Sequence, residues 1–287
     1  MVKNLPFGLA ALVIAVAVLV LIGWTVDSAT LKSVTPGLPT MKPNTAVALV
    51  LEGLSLLFIG SRRRLHFVGF TCAAAAGLTA LIALWEYAFG GIPHFDEFLF
   101  KDYTSGSGLP AGRMPPVTAF NLVLVGTALA LRHLHGPFRA AQALVIPAAC
   151  ISFVSFAGYV YNSPALYTFG PFESMAVHTC VSLLLLCAGI VLTEPERGVV
   201  AALRLPDVRG VFGRRLLAAA FVVPLLCGWL TLRGQRMGLY GPEFGLALFT
   251  VATILILERA SAADPVAIEP LLAMATSAYD PAIHSRE

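Results

Sequence analysis

Apolar residues along the chain gather into eight stretches, at about 7–24, 44–60, 67–89, 116–131, 140–160, 176–193, 216–232 and 242–257, parted by polar, glycine- and proline-bearing segments. A helix of about 20 apolar residues crosses the hydrocarbon of a bilayer. Its backbone must be hydrogen-bonded internally, because lipid offers no partners. The pattern therefore predicts an all-α polytopic membrane protein with eight transmembrane helices. The fourth and eighth stretches are short and must draw on flanking residues. Pro43, Pro115, Pro116 and Pro242 stand at helix starts, where the first-turn N–H has no helical partner to lose.

The polar positions repeat. Met41-Lys-Pro-Asn-Thr45, Met114-Pro-Pro-Val-Thr118 and Met175-Ala-Val-His-Thr179 each open an apolar stretch, and a small residue follows eight positions after each Thr (Gly53, Gly126, Cys187). A degenerate fourth copy begins at Met237 and runs to Glu243. A recurrence of about 60–70 residues is long enough for a pair of spanning helices. Self-similarity of this kind predicts four helical-hairpin repeats. Residues 1–260 are read as one bundle and 261–287 as a short, flexible tail.

Composition agrees with this picture. The chain is 57% hydrophobic and 12% charged, with a net charge of +3 and a mean hydropathy of +0.81. Soluble domains carry about 25% charged residues, so the lipid bilayer is the expected surrounding. No basic stripe interleaved with aromatics is present, which argues against nucleic acid. The five cysteines lie inside apolar stretches with no CxxC pair and read as small buried hydrophobes. The first stretch is spanning length and ends in Gly23-Trp24-Thr25 without a small-x-small cleavage site, so it is expected to be retained as a helix.

Lys and Arg set the orientation. With the N-terminus cytoplasmic, the inner loops hold Lys3, Arg62, Arg63, Arg64, Arg132, Arg139, Arg197, Arg204, Arg209, Arg214, Arg215 and Arg259. The outer loops hold Lys32, Lys42, Lys101, Arg113, Arg233 and Arg236. This two-to-one bias favours cytoplasmic N- and C-termini and puts every motif copy at the outer face. The outer loops are rich in aromatics, among them Tyr161, Tyr167, Phe169 and Phe172, which read as interface anchors.

Several segments together resemble a known family. They are Gly112-Arg113-Met114 leading into Thr118-Ala119-Phe120-Asn121, Ser174-Met175-Ala176-Val177-His178-Thr179 and Glu194-Pro195-Glu196-Arg197-Gly198. Arg214-Arg215-Leu216 and Gly234 to Tyr240 followed by Glu243-Phe244-Gly245 complete the set. In order and spacing they resemble the N-terminal multi-pass membrane sensor region of bacterial PAS-containing sensor histidine kinases, over nearly the whole chain to about residue 260. The resemblance implies a signal-input module in the bacterial inner membrane, acting through a cytoplasmic or membrane kinase partner. The chain departs from it in having Val117 where an Asn often precedes the Thr. It also ends about 30 residues after the last helix, with no phosphoacceptor-His helix or ATP lid, so the chain alone is not expected to be an enzyme.

Candidate chemistry lies in the polar residues of the spans. An intramembrane charge costs about 2.5–3.5 kcal/mol on insertion scales and marks a functional candidate. Glu52, two turns below Thr45, is the sharpest, with a proton or a Ser, Thr or Asn neighbour as its expected partner. Glu86 and Glu243 sit at outer helix ends, within reach of Arg113, Arg233 and Arg236. His178 has an unperturbed pKa near 6.5 and is suited to switching. With Met41, Met114, Met175 and Met237, and His94 in an outer loop, it makes a soft Cu(I) site conceivable. No axial pair for a haem is evident, and the cofactor is open. His133 and His135 are expected to meet headgroups, and Thr45, Thr118 and Thr179 to cap helices or bond across them. Because the copies diverge at Asn44, Asn121, His178 and Glu243, ligand binding is expected there, together with Glu52, Glu86 and Arg236. The leading expectation is a sensory module. A transporter, and a subunit of a homo-oligomer or larger membrane complex, are the alternatives.

Overall fold

Each of the eight apolar stretches is helical in the computed structural model: α1 (Leu5–Thr25), α3 (Pro43–Leu57), α4 (Arg63–Phe89), α5 (Pro116–His133), α6 (Phe138–Val160), α7 (Val177–Leu192), α9 (Val208–Arg236) and α10 (Pro242–Ala262). Two short helices that hydropathy does not mark, α2 (Ala29–Ser33) and α8 (Gly198–Arg204), lie between them. The structure describes residues 4–35, 37–90, 96–103, 111–168, 174–204 and 208–262, and no strand occurs among them. His94, Phe169, Phe172 and the tail from 263 lie outside the described residues.

Four helices are long and apolar enough to cross a membrane: α1, α4, α6 and the stretch Gly210–Arg236 of α9. The helices α3 and α7, and Pro242–Ile256 within α10, are apolar but shorter. The chain divides into two units, Met1–Val200 and Ala201–Glu287.

In the first unit the three motif-bearing helices α3, α5 and α7 touch one another, and α1, α4 and α6 surround them. Each outer helix packs against two inner ones: α1 on α3 and α7, α4 on α3 and α5, α6 on α5 and α7. The arrangement is cyclic, one hairpin per third. Lengths follow the same division. The inner helices have 15, 18 and 16 residues and the outer ones 21, 27 and 23. At about 1.5 Å per residue the inner ones reach only ~23–27 Å, short of a hydrocarbon layer of about 30 Å.

Their starts explain the shortfall. The residue before each inner helix (Lys42, Pro115, Ala176) is extended, with φ/ψ of −70/150, −57/142 and −67/150. Non-helical backbone inside a bundle must be covered by protein, and here it is: Met41, Met114 and Met175 are buried. Their carbonyls face no helical N–H and need another donor. An aromatic near the end of the preceding outer helix supplies it each time. Trp24 Nε1 donates to the Met41 carbonyl at 2.9 Å, the Tyr87 hydroxyl to Met114 at 3.1 Å and the Tyr159 hydroxyl to Met175 at 2.5 Å.

Small residues bring the helices together. The buried stripe of α4 is Gly69, Ala73, Ala76, Ala80 and Ala83, the composition that lets backbones approach in a membrane. A Cβ on Gly53 would sit 2.6 Å from Ile14 Cγ1 of α1, and one on Gly126 3.2 Å from the Ala73 carbonyl. At these two motif positions a side chain would push the helices apart. Outward faces are apolar, with Leu12, Leu19, Ile22, Leu78, Leu81 and Ile146 exposed, as lipid contact requires. The cysteines divide: Cys180, Cys187 and Cys227 are buried, Cys72 is half-buried and Cys150 is exposed. Cys150 thus departs from the buried-hydrophobe reading because it lies on an outward face of α6.

The second unit is a hairpin of α9 and α10, joined by Ala219, Val223 and Cys227 against Phe249 and Ala252. Its motif copy lacks the clamp. Met237 is 64% exposed, and the Tyr240 hydroxyl instead bonds the Thr231 carbonyl at 3.1 Å.

Removing a donor from a buried carbonyl costs about 1–3 kcal/mol. Trp24→Phe, Tyr87→Phe and Tyr159→Phe are each expected to lower stability by that amount in denaturant or thermal unfolding of purified protein. Trp229→Phe, at a half-exposed position in α9, is expected to leave it unchanged.

Candidate functional site

Buried ion pairs fold the chain over the motif end of the bundle. Lys42 and Asp102, both buried, pair at 2.5 Å. The same Asp102 oxygen accepts the Gly112 N–H at 3.0 Å, and Glu97 accepts the Asp102 N–H at 3.0 Å. Gly112 has φ +72, and a Cβ there would lie 2.6 Å from the Asp96 carbonyl, so only glycine fits. Beside it Arg113 pairs with Asp96 at 2.7 Å and with Glu86 at 3.5 Å, close to the Tyr87 ring. Glu86, expected within reach of Arg113, meets it with its side chain fully buried. Burial first of all pushes the Asp96 carboxyl up, Arg113 holds it down and Glu86 adds to the rise, leaving it at about 6. On the neighbouring third, Lys32 pairs with Asp27 and lies 4.4 Å over the Trp24 ring.

Below this cover the facing sides of the inner helices hold polar groups that lack partners. Glu52 is completely buried and neither carboxylate oxygen has a hydrogen bond. A Cβ on Gly126 of α5 would come 3.3 Å from Glu52 Oε1, and Cys187 of α7 lies within its electrostatic reach. The side-chain oxygens of Thr45, Thr118 and Ser182 are also buried and unbonded, as are both ring nitrogens of His178. The Lys32 backbone faces His178 outside hydrogen-bonding geometry.

Two expectations are narrowed here. No Ser, Thr or Asn side chain bonds Glu52; Asn121 instead donates to Ser152 of α6 at 3.1 Å, one helix away from the carboxylate. Nor do the motif threonines cap their helices. The cap positions are Lys42, Pro115 and Ala176, none with a side-chain cap bond. Each threonine is the third residue of its helix, and the Thr45 and Thr118 hydroxyls have no hydrogen-bond partner. Asn44 is buried near the start of α3 and accepts the Thr45 N–H at 2.8 Å.

The far end carries a second polar cluster. His133, also buried, has Nε2 3.1 Å from both the hydroxyl and the carbonyl of Ser55. His66 meets its ring edge-on at 4.6 Å and stacks on His135 at 5.0 Å. The headgroup expectation thus fails for His133, which ties α5 to α3, while His135 is exposed. Arg132 pairs with Glu194, which Arg197 also reaches at 3.2 Å. A cavity of about 580 Å³ opens here between Pro6, Phe7, Ile59 and Leu192–Arg197.

Of the remaining expected site residues, Glu243, Arg236 and Met237 are exposed and belong to the second unit. Met41, Met114 and Met175 are buried at the starts of the inner helices. Among the described residues no three His, Cys, Asp or Glu side chains converge as metal ligands. The aromatic clamps and the Lys42–Asp102 pair escape sequence reading. No protein-family model, curated protein or solved structure matches the chain.

Truncating one member of a buried ion pair costs about 3–5 kcal/mol, because the other charge is stranded. Lys42→Met is expected to lose that much unfolding free energy, and Lys42→Met combined with Asp102→Asn to recover a large part. Asp96 holds its proton more tightly folded than unfolded, so its contribution to stability falls as pH rises from about 4 to about 6. Unfolding across that window is expected to show this slope in the wild type and a flatter one in Asp96→Asn.

Proposed function

We propose that the chain is a membrane-embedded signal-input module in which a change at the buried polar groups of the first unit alters how α3, α5 and α7 pack. The observation that carries the reading is Glu52, an intramembrane carboxyl without a partner where three helices meet. Such groups are costly and persist for function. A helix contact whose polar groups are half-satisfied is one whose ligation shifts the balance between two packings. The buried ion pairs over the motif end favour a closed bundle over an open pore. The α9–α10 hairpin, a unit of its own, suits the role of carrying the change onward.

In this reading all eight helices span, with both termini cytoplasmic, as the Lys and Arg bias favours. The resemblance to sensor-kinase membrane regions supplies the bacterial inner membrane and a kinase partner. Transport is the second reading, because a buried carboxyl also suits an ion pathway. Pro147 and Pro224 are the prolines inside the helices α6 and α9, and the continuous course of those helices gives it less support.

Spin labels at the exposed Leu65 and Leu134 report the far ends of α4 and α5. Pulsed EPR is expected to give two distance populations whose weights differ between wild type and Glu52→Gln, while proteoliposomes show no proton or alkali-cation flux. A flux in the wild type that disappears in Glu52→Gln would establish the transporter instead.

A further inference from the structure

The three inner helices are copies, so each position can be compared with its two equivalents. Seven residues after the motif threonine stand Glu52, Val125 and Leu186. All three are completely buried. Two of the three copies therefore fill this layer with an aliphatic side chain, and nothing in the packing demands a carboxyl in the third. The surroundings are small: Gly126 approaches Oε1, and Ala73 and Gly77 of α4 lie behind Gly126.

A buried carboxylate without a compensating charge or donor is strongly disfavoured. The helices packed on α3 supply no charge, and the backbone of Gly126 that faces the carboxylate lies outside hydrogen-bonding geometry. Between Leu5 and Thr25, α1 has no titratable side chain. From α7 the titratable neighbour is Cys187, while Cys150 of α6 is exposed on the outward face. On α5 the nearest in sequence to Gly126 are Arg132 and His133 at the far end, where His133 is held by Ser55. On α4, His66 and the arginines lie at the far end and Glu86 at the motif end, engaged with Arg113, which leaves the half-buried Cys72 between. Among the described residues Glu52 belongs to no group of three metal-ligating side chains, and a divalent cation would want several oxygen ligands. A proton wants one.

We infer that Glu52 is a reversible proton-binding site, and that its occupancy by a proton sets the packing of α3 against α5 and α7. The ligand of the input module is then the hydrogen ion. This deepens the signal-input reading and rests on it for its consequence, but the site itself is testable whether the protein signals or transports.

Dicyclohexylcarbodiimide partitions into bilayers and reacts with protonated carboxyls. The carboxyl proton moves to one carbodiimide nitrogen while the carboxylate oxygen bonds the central carbon. The resulting O-acylisourea rearranges to a stable N-acylurea with no atom lost. Full-length protein in vesicles is treated from mildly acidic to alkaline pH, and peptides are mapped by mass spectrometry. In parallel, unfolding temperatures of wild type and Glu52→Gln are followed across the same range. The expected result is modification at Glu52 that declines as pH rises, or a wild-type loss of stability at alkaline pH that Glu52→Gln lacks; either one sustains the site. The proposal is overturned if Glu52 stays unmodified at every pH and the two proteins share one pH profile. It is overturned equally if sodium at fixed pH, and not choline, protects Glu52, since the ligand would then be an alkali cation.

Discussion

The first unit depends on one constraint: backbone that leaves the helix inside a membrane must find its hydrogen bonds in protein. The inner helices begin late, after extended segments that descend into the bundle. The carbonyl of each motif methionine would be stranded there. Trp24, Tyr87 and Tyr159 answer the need in turn, and each joins the end of an outer helix to the start of its own inner partner. Two of the clamps bring a second close contact. Gly23 and Gly158 immediately precede Trp24 and Tyr159, and a Cβ there would meet Leu31 Cβ at 2.5 Å and Leu166 Cβ at 2.7 Å. The chain after the outer helix thus folds back tightly against it before entering the bundle.

From this follows the sorting of side chains. The outer helices α1, α4 and α6 face outward with leucine, isoleucine and phenylalanine, as lipid contact would require, and their buried faces are rich in alanine and glycine, with Ser152 and Ser155 on α6. The inner helices touch protein on more sides and can carry Asn, Thr, Ser, His and Glu without exposing them to hydrocarbon. Polar groups at this depth are tolerated because the outer ring covers them. The ion pairs at the motif end do the equivalent for the loops, holding Asp102, Glu97 and Gly112 over the start of α3.

Much of this was legible in the sequence. Hydropathy located eight helices, four of them long and apolar enough to cross a membrane, and the motif period paired them into hairpins. The clamp was hidden by its spacing. Donor and acceptor stand 17, 27 and 16 residues apart, so loops of different length blur a contact that recurs in space. The Gly-Trp of 23–24 and the Gly-Tyr of 158–159 were a visible signal, but aromatics at a membrane boundary already had an explanation as interface anchors. The Lys42–Asp102 pair joins residues 60 apart in a loop with no counterpart in the other copies, and nothing periodic pointed to it. The inner-and-outer distinction was half legible, in the polar residues that each motif-bearing stretch carries near its start. Their bonds were not, because which neighbour an Asn or Glu meets depends on the rotation of the helix. Asn121 meets Ser152 of α6, and Glu52 meets the bare backbone edge of Gly126.

Comparing the copies separates scaffold from function. What all three share, the buried Met, the buried Thr and the small residue eight positions on, is spent on closing the bundle. What differs lies on the same faces at equivalent depths. One residue before the threonine come Asn44, Val117 and His178; three after it Ala48, Asn121 and Ser182; seven after it Glu52, Val125 and Leu186. A cyclic scaffold tolerates either an aliphatic or a polar side chain in each of these layers, since its own copies contain both. The polar choices therefore are not dictated by the fold, and each leaves or creates a group to be satisfied in a dry interior. Asn121 solves this locally with Ser152. Glu52 and His178, on two different thirds, do not. Among the differences between the thirds, these two ionisable side chains are the ones left without a partner, and the bundle will respond to whatever changes their charge.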